Sequence, residues 1–322
     1  MIKTWTKRTA LMLAVSPLAL TGANAFEASV EGLYLHRDVD NTVLFSDNEG
    51  STSSVFGDDL DVDWDAGFAL SIAMPVDDKR TLEIGGMYIQ HDGSAGLTNT
   101  SDQLDVPGGF SGGTFLSSVN ASFTGGNFSS AVTGFADFES TTWSIEANVW
   151  QDWGGTRVFY GVRYISFDDQ LSLFVDDDGT GLPAAFGTLD IDMDNDLFGI
   201  QAGVTESYDL GNRWSISGKG GAGLYYADRE KTIVVFEGRS PSTTSFSQED
   251  NGLAIVFDGE VTLDWALSDR VTLSLGYQVL WIGNVGEALD NLPIANTAAE
   301  YTKFEDDGVL YHGGLLRATF TF

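Results

Sequence analysis

The sequence has no cysteine, which removes thiol nucleophiles, thiolate metal sites and disulfide staples together. A chain of 322 residues buries enough core to do without staples. Basic residues are scarce, 16 against 47 acids, so nucleic acid is excluded as a partner. There is no HExxH run and no serine nucleophile elbow, and only three histidines occur, His36, His91 and His312. Long apolar runs are missing except one, Ala10 to Leu20, about 11 residues where a spanning helix needs about 20. Lys3, Lys7 and Arg8 precede that run, and Ala23-Asn24-Ala25 closes it, the pattern of an export signal cleaved after Ala25. Residues 26 to 322 then hold the mature domain, and any membrane crossing has to use strands.

Glycine (38), phenylalanine (21), tyrosine (10) and tryptophan (8) are plentiful and suit strands and tight turns. Alternation of apolar and polar residues recurs along the whole chain. Trp64, Ala66, Phe68, Leu70 and Ile72 oppose Asp65, Gly67, Ala69 and Ser71; Trp143, Ile145, Ala147 and Val149 oppose Ser144, Glu146 and Asn148. The same reading holds from Leu82, Val158, Phe198, Trp214, Leu253 and Val271. With a first strand from Glu27 to Leu35 and a last from Val309 to Phe322 the count is ten, with eight or twelve as neighbouring possibilities. One segment of this kind also suits a soluble sandwich, but an even number of two-faced strands returns both termini to one side, as in bacterial barrels. A mean hydropathy of -0.03 fits a wall of which only alternate residues meet lipid.

Connections alternate in length. Residues 75 to 80, 151 to 155, 207 to 212 and 266 to 270 are short; those at about 37 to 63, 92 to 137, 167 to 196, 229 to 250 and 283 to 308 are long and polar. Short periplasmic turns and long external loops are the topology of an outer-membrane barrel. The expected fold is therefore all-β, a closed antiparallel transmembrane β-barrel. Its lipid-facing ends carry aromatics at Trp64, Trp143, Trp214, Trp265, Trp281, Phe320 and Phe322.

The final strand, Leu316-Arg317-Ala318-Thr319-Phe320-Thr321-Phe322, resembles those of Gram-negative outer-membrane barrels. The resemblance implies recognition of that strand by the barrel-assembly machinery, and outer-membrane lipid and lipopolysaccharide as surroundings. Asp196-Leu197-Phe198-Gly199-Ile200-Gln201-Ala202-Gly203, Gly161-Val162-Arg163-Tyr164 and His312-Gly313-Gly314 are similar to stretches of the Legionella-type pore-forming major outer-membrane protein family, which implies pore formation.

The lumen-facing parity holds Glu31, Glu83, Glu146, Asp258 and Glu260 together with Arg157, Arg163, Lys219 and Arg317. Mixed charge of this kind suits a water-filled pore, and equally an ion-pair network that closes a narrow barrel. Acids crowd the long connections, so the external face is anionic and an open pore would prefer cations. Asp190, Asp192, Asp194 and Asp196 alternate along an extended segment, project from one side and form a candidate Ca²⁺ site; Asp58, Asp59, Asp61, Asp63 and Asp176 to Asp178 offer similar oxygens. The competing reading is a solvated acidic rim. The function expected first is a small pore for ions or small solutes with a cation preference; the alternatives are a non-conducting structural or adhesion barrel presenting acids, and a rim hydrolase built on His36 and His312. The expectation is no enzyme, because both histidines share the lipid-facing parity. Gly218 to Gly223 spell G-x-G-x-x-G inside a strand with no helix after it, so close strand packing explains them better than a dinucleotide.

Overall fold

A computed structural model describes residues 26–47, 54–62, 64–99, 104–105, 132–153, 156–177, 186–237, 242–293 and 301–322. The leader, residues 1 to 25, and Asp63 and Asp178 lie outside the described residues.

Ten strands close a barrel: β1 (Glu27–Arg37), β4 (Trp64–Pro75), β5 (Arg80–Asn99), β7 (Val132–Trp153), β8 (Thr156–Asp177), β9 (Phe186–Gly211), β10 (Trp214–Glu237), β11 (Ser242–Ser268), β12 (Val271–Val285) and β13 (Asp307–Thr321). Each pairs antiparallel with its chain neighbours, and β1 pairs with both β4 and β13, so no edge is left open. Three short strands, β2 (Val43–Asp47), β3 (Ser54–Phe56) and β6 (Leu104–Asp105), form a separate sheet on the external side. No helix among the described residues is long and apolar enough to cross a membrane.

The tight turns between described strands and the first and last described residues, Phe26 and Phe322, share one end. Asp77 shapes the first turn by accepting bonds from the Lys79 and Arg80 backbone N–H groups at 3.0 and 2.9 Å. At the third, Gly211, Asn212 and Arg213 all take positive φ, which glycine and asparagine tolerate. Here Phe26 and Phe322 stack at 4.5 Å and Trp214 stacks on Trp265 at 5.5 Å. Eight residues further along β1, from Phe26 to Tyr34, and along β11, from Trp265 to Phe257, a second aromatic ring appears, so each stretch counts nine residues with its ends; the ring includes Tyr34 against Trp64 at 5.5 Å, Trp143 against Tyr164 at 5.1 Å and Phe257 against Trp281 at 5.6 Å. That separation matches the roughly 9–11 residues with which a tilted strand spans a bilayer.

The structure corrects the expected loops. Most of 167 to 196 and 229 to 250 is strand, because β9, β10 and β11 run for 26, 24 and 27 residues, more than twice what the membrane requires. The reason lies in their faces. Along β9 the outward residues are Val204, Ala202, Ile200 and Phe198, then Asp196, Asp194, Asp192 and Asp190; the inward ones are Thr205, Gly203, Gln201 and Gly199, then Leu197, Asn195, Met193, Ile191 and Leu189. Lipid outside selects apolar residues outside; above the membrane water replaces lipid, and the apolar residues move to the inner face. A second core therefore forms outside the membrane, where Leu171, Leu189, Ile191, Met193 and Ile233 pack with Leu44, Phe45 and Leu60 of the external sheet and its 3-10 turn.

Candidate functional site

The nine residues expected in the lumen stand on the inward parity of their strands, and several of them meet. Arg317 bridges two carboxylates, donating Nε to Glu31 at 2.5 Å and both terminal nitrogens to Glu260 at 2.7 Å. Arg163 stands 3.9 Å from Glu146 and donates to Ser144 at 3.1 Å. Gln201 donates to Glu146 and Asn148 at 2.7 and 2.9 Å and accepts from Tyr225 at 3.0 Å. Nearer the periplasmic turns Lys219 lies over the rings of Trp150 and Phe159, and Arg157 over Trp150, at 5.0 to 5.7 Å. Glu83 sits half-buried opposite Asn148, and the Asp258 carboxylate borders Gly221. Phe159 and Trp150 were missed among the polar residues of their strands, although Phe159 stands on the inward parity of β8. A Cβ on Gly203 or Gly221 would meet the Phe159 ring at 2.3 or 2.9 Å, so Gly221 of the glycine-rich run of β10 serves close packing inside the lumen, whereas a Cβ on Gly218 or Gly220 would meet nothing nearer than 4.0 Å.

Above this polar section lies an apolar layer. Leu35, Ile89, Phe167, Leu197, Ile282 and Tyr311, from six different strands, are each at most 1% exposed and belong to one cluster. Over that layer Arg37, fully buried, donates to Asp169 at 2.6 and 2.7 Å and to Glu287 at 2.8 Å, between the rings of Phe138 and Phe167. Glu287 belongs to a segment after β12, residues 286 to 293, folded into the barrel mouth. Asn195 anchors it by exchanging hydrogen bonds with the Gly286 backbone at 2.8 and 2.9 Å, and Asn291 ties it to Glu305 at 2.8 and 3.0 Å. Ala288, Leu289 and Leu292 enter the external core. Burial pushes the Glu287 carboxyl up to about 7, outweighing the attraction of Arg37, which Asp169 already engages through both oxygens. Asp290 is raised to about 8 by burial, by a hydrogen bond shared with Asp40, and by the Glu287 charge.

The Asp190 to Asp196 row lies on the outer wall just above the aromatic ring, on strand rather than loop. Its members are two residues apart, roughly 6.6 Å along the strand, and their close neighbours are across strands. Asp194 faces Asp168 and Glu230, Glu230 faces Glu249, and Asp196 faces Asp228. Among the described residues, the sets whose ligand atoms lie within 4.8 Å of one another are instead His36, Asp38 and His312, and Asp40, Asp290 and Asp307. Asp58 and Asp59 sit in the 3-10 turn Gly57–Leu60, where Asp59 accepts from the Phe56 N–H at 2.9 Å.

His36 and His312 are direct partners across the seam where the first strand meets the last. His91 is on the inner face, its Nε2 3.0 Å from the Leu35 carbonyl oxygen.

A closed antiparallel barrel with two aromatic rings, tight turns at one end and long strands at the other defines an outer-membrane β-barrel protein of the Gram-negative type. The chain belongs to the family described as Legionella pneumophila major outer membrane protein precursor, whose model matches residues 21–305. No curated protein matches it. Solved structures similar to it include the Escherichia coli outer membrane protease OmpT, at 8% identity and TM-score 0.46, covering 94% of this chain and 98% of that one. Another is a major outer membrane protein from Thermus thermophilus, at 14% identity and TM-score 0.33, covering 94% and 100%. A third is a Pseudomonas aeruginosa FadL homologue, at 7% identity and TM-score 0.26, covering 93% and 90%.

Proposed function

We propose that the protein is an outer-membrane barrel closed at rest, whose work is done by a rigid acidic platform that its long strands raise above the membrane. The observation that carries this reading is the external core. Strands that only lined a pore could end at the membrane surface, whereas here they continue and enclose a buried apolar cluster of their own, capped by β2, β3, β6 and residues 286 to 293. Outward from it stand Asp92, Asp137, Glu139, Asp194, Asp196, Asp228 and Glu230, all exposed. That face suits lipopolysaccharide headgroups bridged by divalent cations, or a cationic surface on another cell. No catalytic role is assigned to it. The strand ending at Phe322 is the segment offered to the assembly machinery.

A second reading, a small pore with a cation preference, is favoured by the nine charged lumen residues, which are costly in a membrane-spanning interior, and by the pore-forming family that the sequence resembles. In that reading the apolar layer around Leu35 and Phe167 must part before ions pass. Planar-bilayer recording of refolded, heat-modifiable protein separates the two. The closed platform gives no single-channel steps; discrete, cation-selective steps at low salt would put the pore first.

A further inference from the structure

We propose that His36, Asp38 and His312 form a binding site for a divalent transition-metal ion, with zinc as its probe, that clasps the seam between β1 and β13. The two histidines are register partners across the seam, with rings 5.3 Å apart. His36 Nδ1 lies 3.4 Å and His312 Nε2 3.8 Å from the same Asp38 oxygen, and all three ligand atoms fall within 4.8 Å of one another. Two ligands on a tetrahedral zinc at 2.0–2.1 Å stand about 3.4 Å apart, so the two Asp38 distances need to contract by at most a few tenths of an ångström and the two ring nitrogens, within 4.8 Å of each other, close the rest of the set by turning toward a common centre.

Two further observations point to a ligand. His36 Nδ1 is buried, has no hydrogen-bond partner and lies 3.4 Å from the Asp38 oxygen, so it is the ring nitrogen turned toward the cluster. His312 Nδ1 lies 2.6 Å from the Tyr277 hydroxyl. With Nδ1–H donating to that oxygen, Nε2 is left unprotonated and aimed at Asp38, the arrangement by which a metal-bound histidine is usually held. The backbone of the third ligand is held as well, because the Asp38 N–H bonds the Leu310 carbonyl at 3.0 Å and extends the β1–β13 ladder by one residue. Two imidazoles and one carboxylate favour zinc, copper or nickel over calcium or magnesium. All three side chains stay partly exposed at the outer aromatic ring beside Trp64, which leaves a fourth position open to water or a headgroup oxygen.

The site is distinct from the acidic face and does not depend on whether the lumen conducts. Refolded full-length barrel in detergent, titrated with zinc chloride, should bind one equivalent and unfold at a higher temperature. Cobalt(II) should give the intense visible absorption of a tetrahedral ion, and calcium or magnesium at the same concentration should do neither. His36→Gln and His312→Gln should each weaken zinc binding at least tenfold, and Tyr277→Phe less so. Asp194→Asn with Asp196→Asn should leave it unchanged. The proposal is overturned if wild type binds no zinc, or if a heat-modifiable, hence folded, His36→Gln/His312→Gln double variant binds it as well as wild type.

Discussion

Arg37 and Asp169 meet through two hydrogen bonds, 2.6 and 2.7 Å long, and both side chains have no exposed surface. They join β1 to β8 across the barrel mouth, 132 residues apart in sequence. Glu287 completes the set at 2.8 Å, so one cation holds the wall and the inserted segment together.

Arg37→Ala should cost about 3 to 5 kcal/mol, because removing one partner leaves two carboxylates buried without their cation. Equilibrium unfolding in detergent measures it. A cost below 1 kcal/mol would mean that the mouth opens to water.

The segment 286 to 293 should be held most firmly in acid. Glu287 and Asp290 have folded values of about 7 and about 8 against ordinary values of 4.5 and 3.8, so the folded form keeps protons that the released form gives up. Their stabilisation is full below pH ~4 and is lost as pH rises through about 7 to 8. Hydrogen exchange of residues 286 to 293 should therefore be faster at pH 8.5 than at pH 5.5. Glu287→Gln with Asp290→Asn should flatten that difference; an unchanged pH dependence would assign it to other groups.

Lipid-facing parity predicts that Ile145→Lys and Leu275→Lys cost about 2 to 4 kcal/mol near mid-membrane. Their neighbours test the lumen. Ser144 is 5% exposed and bonded by Arg163, so Ser144→Lys should also destabilise the packed interior. If Ser144→Lys folds with wild-type stability, the interior holds water and the pore reading gains.

Directly opposed carboxylates at Asp168, Asp194, Glu230 and Glu249 repel across four strands. Asp194→Asn and Glu230→Gln should each raise stability by about 0.2–1 kcal/mol in EDTA. Millimolar Ca²⁺ should close that gap if it bridges the pairs. An equal rise in wild type and variants would leave only screening.

The alternation of Trp143, Ile145, Ala147 and Val149 against Ser144, Glu146 and Asn148, recurring along the chain, was sufficient to specify the face that each membrane-level side chain takes, because a strand's period of two offers only two faces, and it put the strand count at ten with eight or twelve beside it. The reversal of that pattern at Asp196 and Leu197 was legible too, but acids on the outer face read as loop as long as every apolar residue was assigned to lipid. Tertiary structure decided the rest. Whether Arg317 meets Glu31 or water, whether Phe159 lies across the lumen, and whether His36 stands beside His312 and Asp38 depend on barrel radius, strand stagger and the path of residues 286 to 293. Those are properties of ten strands closed on one another, set by contacts between residues as far apart as Glu31 and Arg317, and no local pattern carries them.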